Sequence, residues 1–254
     1  MTSGKAKHLR CGIVALAVVT SFPVLAACGD GRGGDAADHA TPEGVSTGRR
    51  LTVVTDNGVR LRPASGDRVT IVAHTGHRWS GKGDHRVLDL SCPDGADSRD
   101  PCPRMPEVDI PAGTGVTVSA RNAGIDAAGV SGALDLTTVN GDVTVTDAGR
   151  TGSSVRLTTR NGSVRAHDLR AATLHAQTVN GDVTVGCATA PSRIDAATTN
   201  GSVDATVPDD SPAYRVNATT DNGRPRIDIP TATASHAATM RLATVNGDVR
   251  AERG

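Results

Sequence analysis

Asparagine recurs at one position of a short repeat, beside residue types that can bind ligands. The seven asparagines lie 18 to 24 residues apart, and glycine directly follows the last six: Asn122, Asn140, Asn161, Asn180, Asn200, Asn222 and Asn246. Aspartate follows three of these glycines, at Asp142, Asp182 and Asp248. Aspartates in Gly-rich repeats bind calcium when several carboxylates converge. Serine or arginine occupies the intervening repeats, so we predict solvated turn aspartates and no metal at this position.

Three histidines near the only tryptophan are a second candidate for metal chemistry. His74, His77 and His85 lie around Trp79 in a Gly-rich stretch. Imidazoles are common metal ligands, but this spacing in a loop is typical of surface residues, so we predict no metal there. Cys187 falls seven residues after its asparagine, on the inward side of the repeat, and we interpret it as a small buried thiol and not as a nucleophile.

The cysteines of the N-terminal half indicate export. The segment 1–27 has a basic start followed by an apolar run, and it ends in Leu-Ala-Ala before Cys28. This arrangement resembles the lipobox of bacterial lipoproteins, so we predict that residues 1–27 are a cleaved signal peptide and that Cys28 carries the lipid. An ordinary signal peptide is the alternative; the run is short for a membrane span. In an exported protein Cys92 and Cys102 are expected to form a disulfide, because two thiolates alone lack the close pairs of structural zinc sites.

Charge and aromatic content exclude a nucleic-acid partner from our prediction. The chain has 27 basic and 27 acidic residues, so it has no concentrated excess of positive charge. Base stacking needs aromatic platforms, and Trp79 and Tyr214 are the only aromatic residues after the signal peptide. Residues 28–48 are rich in Gly, Asp, Ala and Thr, and we expect them to form a flexible tether.

Two β-strands per repeat must position these residues. The residues six and four before each asparagine are apolar, and so, with one exception at Pro225, are those three and five after it. This alternation predicts two half-buried strands with a corner between them. Asn-Gly can form the corner, because both residues tolerate positive φ. The threonine two residues before the asparagine is expected to point inward, with its hydroxyl bonded to the corner.

The regularity of the corner favours a parallel β-solenoid of about seven coils over an antiparallel array of hairpins. A solenoid stacks each coil directly on the last, and stacked asparagines can hydrogen-bond along the stack. We therefore predict an all-β chain in which residues 49–107 form an N-terminal β capping region with loops and residues 108–254 form the solenoid. At Pro225 the missing N–H predicts a weakened or bulged ladder.

The repeat carries a family resemblance over about residues 50–254. The unit Leu-Thr-Thr-Val-Asn-Gly-Asp-Val-Thr-Val, a preceding Val-Asp-Ile-Pro-Ala-Gly-Thr segment at 108–114 and the lipoprotein signal resemble a bacterial family of β-strand-repeat proteins of unknown function, regarded as candidate adhesins. The resemblance implies a β-helix-like fold and no settled activity. The missing glycine after Asn122 and the proline at 225 depart from that pattern.

These observations predict a surface-anchored lipoprotein whose β-repeat domain has a binding or structural, adhesin-like role. The lipid would hold it at the outer face of the bacterial cytoplasmic membrane, facing an envelope or extracellular partner that the sequence does not identify. The alternative is a carbohydrate-active β-helix enzyme acting on envelope polysaccharide. The outward positions hold no paired acid and base, so we predict no catalytic residue and no cofactor.

Overall fold

The regular structure of the described chain consists of β-strands. The computed structural model describes residues 45–46, 50–72, 76–92, 102 and 104–254, all of which belong to one compact unit, residues 41–254. The predicted signal peptide, Cys28, nearly all of the tether and His74 lie outside the described residues. Within the described ranges, no helix is long and apolar enough to cross a membrane.

The described residues form 21 strands, most of them four or five residues long and many with alternating apolar side chains. The N-terminal strands are β1 (Val45–Ser46), β2 (Arg50–Val54), β3 (Val59–Pro63), β4 (Arg68–Val72), β5 (Arg78–Lys82), β6 (His85–Asp89), β7 (Glu107–Ile110), β8 (Gly115–Ser119) and β9 (Ile125–Ala128). The strands of the regular repeats are β10 (Leu134–Thr137), β11 (Val143–Thr146), β12 (Ser154–Thr158), β13 (Val164–Leu169), β14 (Thr173–Gln177), β15 (Val183–Cys187), β16 (Arg193–Ala197) and β17 (Val203–Val207). The last four are β18 (Tyr214–Asn222), β19 (Pro225–Ile227), β20 (Ala238–Asn246) and β21 (Val249–Arg253).

The predicted parallel solenoid is confirmed. Each repeat gives one strand to a ten-stranded sheet and the next strand to an eleven-stranded sheet, and repeats that are neighbours in the stack pair in parallel within both sheets. Leu136 lies beside Leu157 in the first sheet, and Val143 lies beside Val164 in the second. Asn140, Asn161 and Asn180 form parallel bridges with one another at the corner. The alternative of hairpins is wrong, because β10 pairs with β8 and β12 and not with β11.

The stack contains nine coils in the described chain, and its two ends do not follow sequence order. From one end to the other the coils are β6–β7, β2–β3, β8–β9, β10–β11, β12–β13, β14–β15, β16–β17, β20–β21 and β18–β19. The first coil along the chain therefore lies second in the stack, and the last coil along the chain lies second from the opposite end. The N-terminal region thus contributes two coils in addition to a cap.

Among the described strands, antiparallel pairing occurs at one end of the stack. Strand β4 pairs antiparallel with β7 and with β1, and β5 pairs antiparallel with β6. We call this the capped end. At the other end, β18 and β19 are the edge strands of the two sheets. We call this the open end.

The core is one continuous column of small and medium apolar side chains between the sheets. Leu136, Val145, Leu157 and Val164 are among many residues that are fully buried. The connecting segments close the third side of each coil with further buried residues, including Val130, Ala148 and Ala171. This packing fixes which side chains remain on the outer faces of the two sheets.

Candidate functional site

The corner asparagines form a ladder of side-chain amides. Each Nδ2 donates to the Oδ1 of the adjacent coil, in five hydrogen bonds of 2.8 to 2.9 Å that join Asn140, Asn161, Asn180, Asn200, Asn246 and Asn222 in this order. Asn122 lies at the corner of the next coil, where its backbone N–H donates to Asp56 O. Its side chain has no hydrogen bond in the described structure and does not join the ladder. The amides are therefore structural partners of one another.

The residues after the glycine form a second ladder, in which carboxylate and hydroxyl groups alternate. Asp142 Oδ1 accepts from the Ser163 amide at 2.7 Å, Ser163 Oγ accepts from the Asp182 amide at 3.3 Å, and Asp182 Oδ1 accepts from the Ser202 amide at 2.8 Å. The same pattern continues through Asp248 to the Arg224 amide. Because a serine separates successive aspartates, like charges are not adjacent, and each carboxylate satisfies a backbone donor.

Asp142 shows the electrostatic consequence of this arrangement. Burial raises the pKa of its carboxyl, but the hydrogen bond from the Ser163 amide and the Arg165 guanidinium at 2.6 Å outweigh burial. The pKa therefore lies below its ordinary value of 3.8, and the group is ionised at neutral pH. This carboxylate is half exposed, so its ion pair with Arg165 contributes little to stability.

The threonines and glycines complete the corner. Each threonine hydroxyl donates to the carbonyl of the residue after the asparagine in the neighbouring coil, in six bonds of 2.7 to 2.8 Å that include Thr159 to Gly141 and Thr178 to Gly162. The expected inward threonine is thus confirmed. Only the glycine uses positive φ, for example 146° at Gly181. Asparagine tolerates positive φ but does not adopt it at these corners, where its side chain belongs to the amide ladder.

The predicted cysteine pair lies beside an additional corner. Cys92 and Cys102 are joined by a disulfide with their Cα atoms 5.7 Å apart, and Asn57 Nδ2 lies 3.3 Å from Cys102 Sγ. Asn57 is an eighth corner asparagine, since Leu51 and Val53 pair in register with the strand before Asn122. The seven asparagines of the sequence analysis do not include Asn57, because this corner is one residue shorter and far from the next.

The other predicted sites are separate from one another. The ring of His77 contacts Trp79 edge to face at 6.4 Å, whereas His85 Nε2 shares a hydrogen bond of 2.9 Å with Thr52 Oγ1. Burial raises the pKa of Cys187 to about 12, so its thiol is neutral. Within the described ranges, no three His, Cys, Asp or Glu side chains are grouped closely enough to hold a metal ion.

The outer face of the eleven-stranded sheet carries arginines that are paired with carboxylates. Arg62 lies 2.7 Å from Asp126, and Arg250 lies 2.7 Å from Glu252. Arg165 and Arg226 have carboxylate partners too. These charges neutralise each other locally and leave few groups for a ligand.

The outer face of the ten-stranded sheet is different, and we call it the ten-stranded wall. Near the open end, a cleft of about 350 Å³ is lined by Arg193, Arg215 and Arg241 together with Asn217 and Thr239. We call this the arginine cleft. Arg193 is 3.7 Å from Asp195, a weak pair, and neither Arg215 nor Arg241 has an ion pair or a side-chain hydrogen bond in the described structure. The cleft can therefore accept an anionic group.

A second depression on the ten-stranded wall is apolar. It has a volume of about 410 Å³ and is lined by Val139 and Val179, with Thr158, Arg160 and Gln177 between and beside them. We call it the valine groove. Both valines are 39% exposed, which makes them two of the most exposed large apolar side chains in the described chain. Sequence analysis named neither depression, because each is built from neighbours on different coils.

Comparison with known proteins supports the fold assignment at the family level. The family model described as Toastrack DUF4097 matches residues 80–252. A candidate cell adhesion protein from Clostridium sporogenes is similar with 8% identity and a TM-score of 0.36, over 84% of this chain and 95% of that one. A candidate adhesin from Bacteroides fragilis is similar with 16% identity and a TM-score of 0.37, over 82% and 93%. No curated protein matches the chain.

Proposed function

The chain belongs to the Toastrack DUF4097 family, and from that premise we propose that it is an exported, lipid-anchored β-repeat module that binds an envelope or extracellular partner through the ten-stranded wall. The observation that carries this proposal is the difference between the two outer faces. The eleven-stranded sheet pairs its arginines internally, whereas the ten-stranded wall keeps unpaired guanidiniums and exposed valines. Unpaired charges beside exposed apolar groups are typical of binding surfaces.

Binding suits this wall better than catalysis does. On the interior strands of this wall the carboxylates are Asp135 of β10 and Asp195 of β16, which are three strand spacings or about 14 Å apart, and Asp89 and Asp221 lie near its two ends. Glycosidases hold their two carboxyl groups about 5 to 10 Å apart. The corner residues are not available as catalytic groups, because their side chains form hydrogen bonds with the neighbouring coils.

The predicted anchor places the wall outside the cell. The segment before Cys28 has the pattern of a lipoprotein signal, and residues 28–48 would separate the lipid from the first described strand of the ten-stranded sheet, β2. A lipid at Cys28 would hold the protein at the membrane, and the tether would let the wall reach a partner in the envelope.

Substitution of Cys28 tests both halves of the proposal. We expect Cys28→Ala to move the protein from the membrane fraction to the soluble exported fraction, as measured by fractionation and immunoblotting. The released protein then serves as bait for solubilised envelope fractions. Bait carrying Val179→Asp and Arg241→Glu should lose its bound material, and bait carrying Thr184→Asp on the eleven-stranded sheet should keep it. Membrane retention of Cys28→Ala would refute lipid anchoring at Cys28. Equal capture by all baits would refute binding through the ten-stranded wall.

A further inference from the structure

Strand β18 exposes hydrogen-bonding backbone groups at the open end. Tyr214 N–H donates to Pro230 O at 3.1 Å and Tyr214 O accepts from Ala232 N at 2.8 Å. The backbone N–H and C=O groups of the even-numbered residues of β18 therefore point away from β20. The next three of them are Val216, Ala218 and Thr220. No strand in the described part of the chain pairs with that side of β18. The edge is thus a template for another strand.

The apolar residues of this last coil are incompletely covered. Val216 and Ala218 are half-buried, whereas their register partners Met240 and Leu242 on β20 are 1% and 0% exposed. Ile227 on β19 is likewise half-buried beside a fully buried alanine of β21. The core column therefore reaches the surface at the open end, and a layer stacked there would remove more apolar surface from water.

The charges on the outward face of β18 have opposite signs at its two ends. Arg215 and Asp221 are exposed, and neither has an ion pair or side-chain hydrogen bond in the described structure. Asn217 and Thr219 lie between them on the same face. A strand with this order is complementary to a second copy of itself running in the opposite direction.

We propose that the open end pairs with the open end of a second copy, through antiparallel β18 strands related by a two-fold axis at Ala218. In this register Ala218 is opposite Ala218 of the second copy, and Val216 and Thr220 are opposite each other. These three pairs face across the edge and would exchange about six backbone hydrogen bonds. Arg215 is then opposite Asp221 of the second copy. The two-fold axis generates this pair twice, and each pair brings a carboxylate to one side of an arginine cleft.

The charges select this register over its neighbours. Moving the axis by one residue, to Asn217 or Thr219, or by two, to Val216 or Thr220, would leave both Arg215 and Asp221 without an opposite charge. The described structure also limits the paired length, because Tyr214 is already bonded to the segment 230–232. Pairing therefore extends over residues 215–221 and brings one carboxylate to each arginine.

The rest of the molecule allows this contact to close as a dimer. A two-fold contact uses the same surface on both copies, so it generates pairs and not fibres. The opposite end is capped by β1, β4 and β5 and does not offer a parallel edge. On the second sheet, Pro225 has no N–H to donate across the open end. The ten-stranded sheets of two copies would form one continuous wall.

Charge reversal tests the pairing in the full chain as the host processes it. We expect the protein to be dimeric by sedimentation equilibrium, and Arg215→Asp or Asp221→Arg alone to weaken the dimer about tenfold or more, since each places like charges in contact. The double variant restores the opposite charges and should restore the dimer. Arg156→Asp, an exposed arginine on the interior strand β12, is the matched control and should have no effect.

A cysteine on the axis tests the register independently. The two Ala218 Cα atoms would be about 5.5 Å apart, which is within the range of a disulfide. Ala218→Cys should therefore give a covalent dimer on mild oxidation in intact membranes, whereas Ser154→Cys on β12 should not. A protein that is monomeric at every concentration, or a dimer unaffected by both single reversals, would overturn the proposal. So would a monomer whose Val216 and Thr220 amides resist hydrogen exchange, because a segment of the same chain would then cover the edge.

Discussion

Each residue type at the corner has its own physical role. Asparagine donates to the amide of the adjacent coil, threonine donates to a backbone carbonyl, and aspartate or serine accepts from a backbone amide. Glycine provides the conformation and the space that these contacts require. At Gly181 an added Cβ would lie 2.2 Å from Gly162 O and 2.6 Å from Gly162 C, and φ is 146°. The neighbouring coil, and not the turn alone, therefore demands glycine.

Alanine at this glycine should be strongly destabilising. Gly181→Ala forces a methyl group into the backbone of the coil beside it and strains φ, and we expect a loss of about 3 kcal/mol in the free energy of unfolding. Urea denaturation measures this change. Gly66→Ala is the control, since an added Cβ there meets no atom within 4 Å. Equal effects of the two substitutions would show that coil contact is not the reason for the glycine.

Pro225 lies at a position where the order of the last two coils leaves no acceptor for a backbone amide. In the inner coils, the amide three residues after the asparagine donates to the next coil toward the open end, as Val183 does to Ser202 O and Val203 does to Asp248 O. Pro225 occupies this position in the coil of β19 and has no N–H. Its coil lies last in the stack, where no acceptor follows. Of the weakened or bulged ladder that we expected at Pro225, the bulge is wrong, since β19 and β21 pair over three residues without a register shift.

Replacing this proline should barely change stability. Pro225→Val adds an N–H that faces the open end, so we expect the free energy of unfolding to change by less than about 0.5 kcal/mol. Val203→Pro at the equivalent position of an inner coil removes the bond to Asp248 O and should cost about 3 kcal/mol or more. Thermal or urea unfolding distinguishes the two. A large loss at Pro225→Val would mean that the ring itself supports the coil.

At the scale of the whole molecule, the first and the last coil along the described chain each lie one coil in from an end of the stack. The coil of β20 and β21 lies between that of β16–β17 and that of β18–β19, so the C-terminal strands are held on both sides. Val249 and Ala251 of β21 are fully buried. In a solenoid with sequential order, the C-terminal coil would instead be the exposed edge and would open first.

Hydrogen exchange should reveal this order. Arg226 and Arg250 are the same residue type at the same position of their coils, on β19 and β21. We expect the Arg250 amide to exchange more slowly than the Arg226 amide, because opening β21 requires separating two strand interfaces and opening β19 requires one. Native-state exchange followed by NMR measures both. Slower exchange at Arg226 would contradict the observed order of coils.

The sequence by itself determined the local structure of this protein. The alternation around each asparagine predicts two strands and a corner, and the repetition of that corner predicts parallel stacking, because these depend only on side-chain period and backbone preference. The threonine contacts also follow from that pattern. The predicted lipid at Cys28 depends on the sequence alone and lies outside the described residues.

Only the tertiary structure decided which coils are neighbours. Strand pairing joins residues far apart in the chain, and the long connection 228–237 returns the chain from β19 to β20, whose coil lies between those of β16–β17 and β18–β19. Arg193, Arg215 and Arg241 therefore meet in one cleft although the chain separates them, and Asn57 becomes a corner of the same stack. The recurring asparagine thus predicted the fold, whereas the order of the coils in the stack determined which surfaces are available for binding.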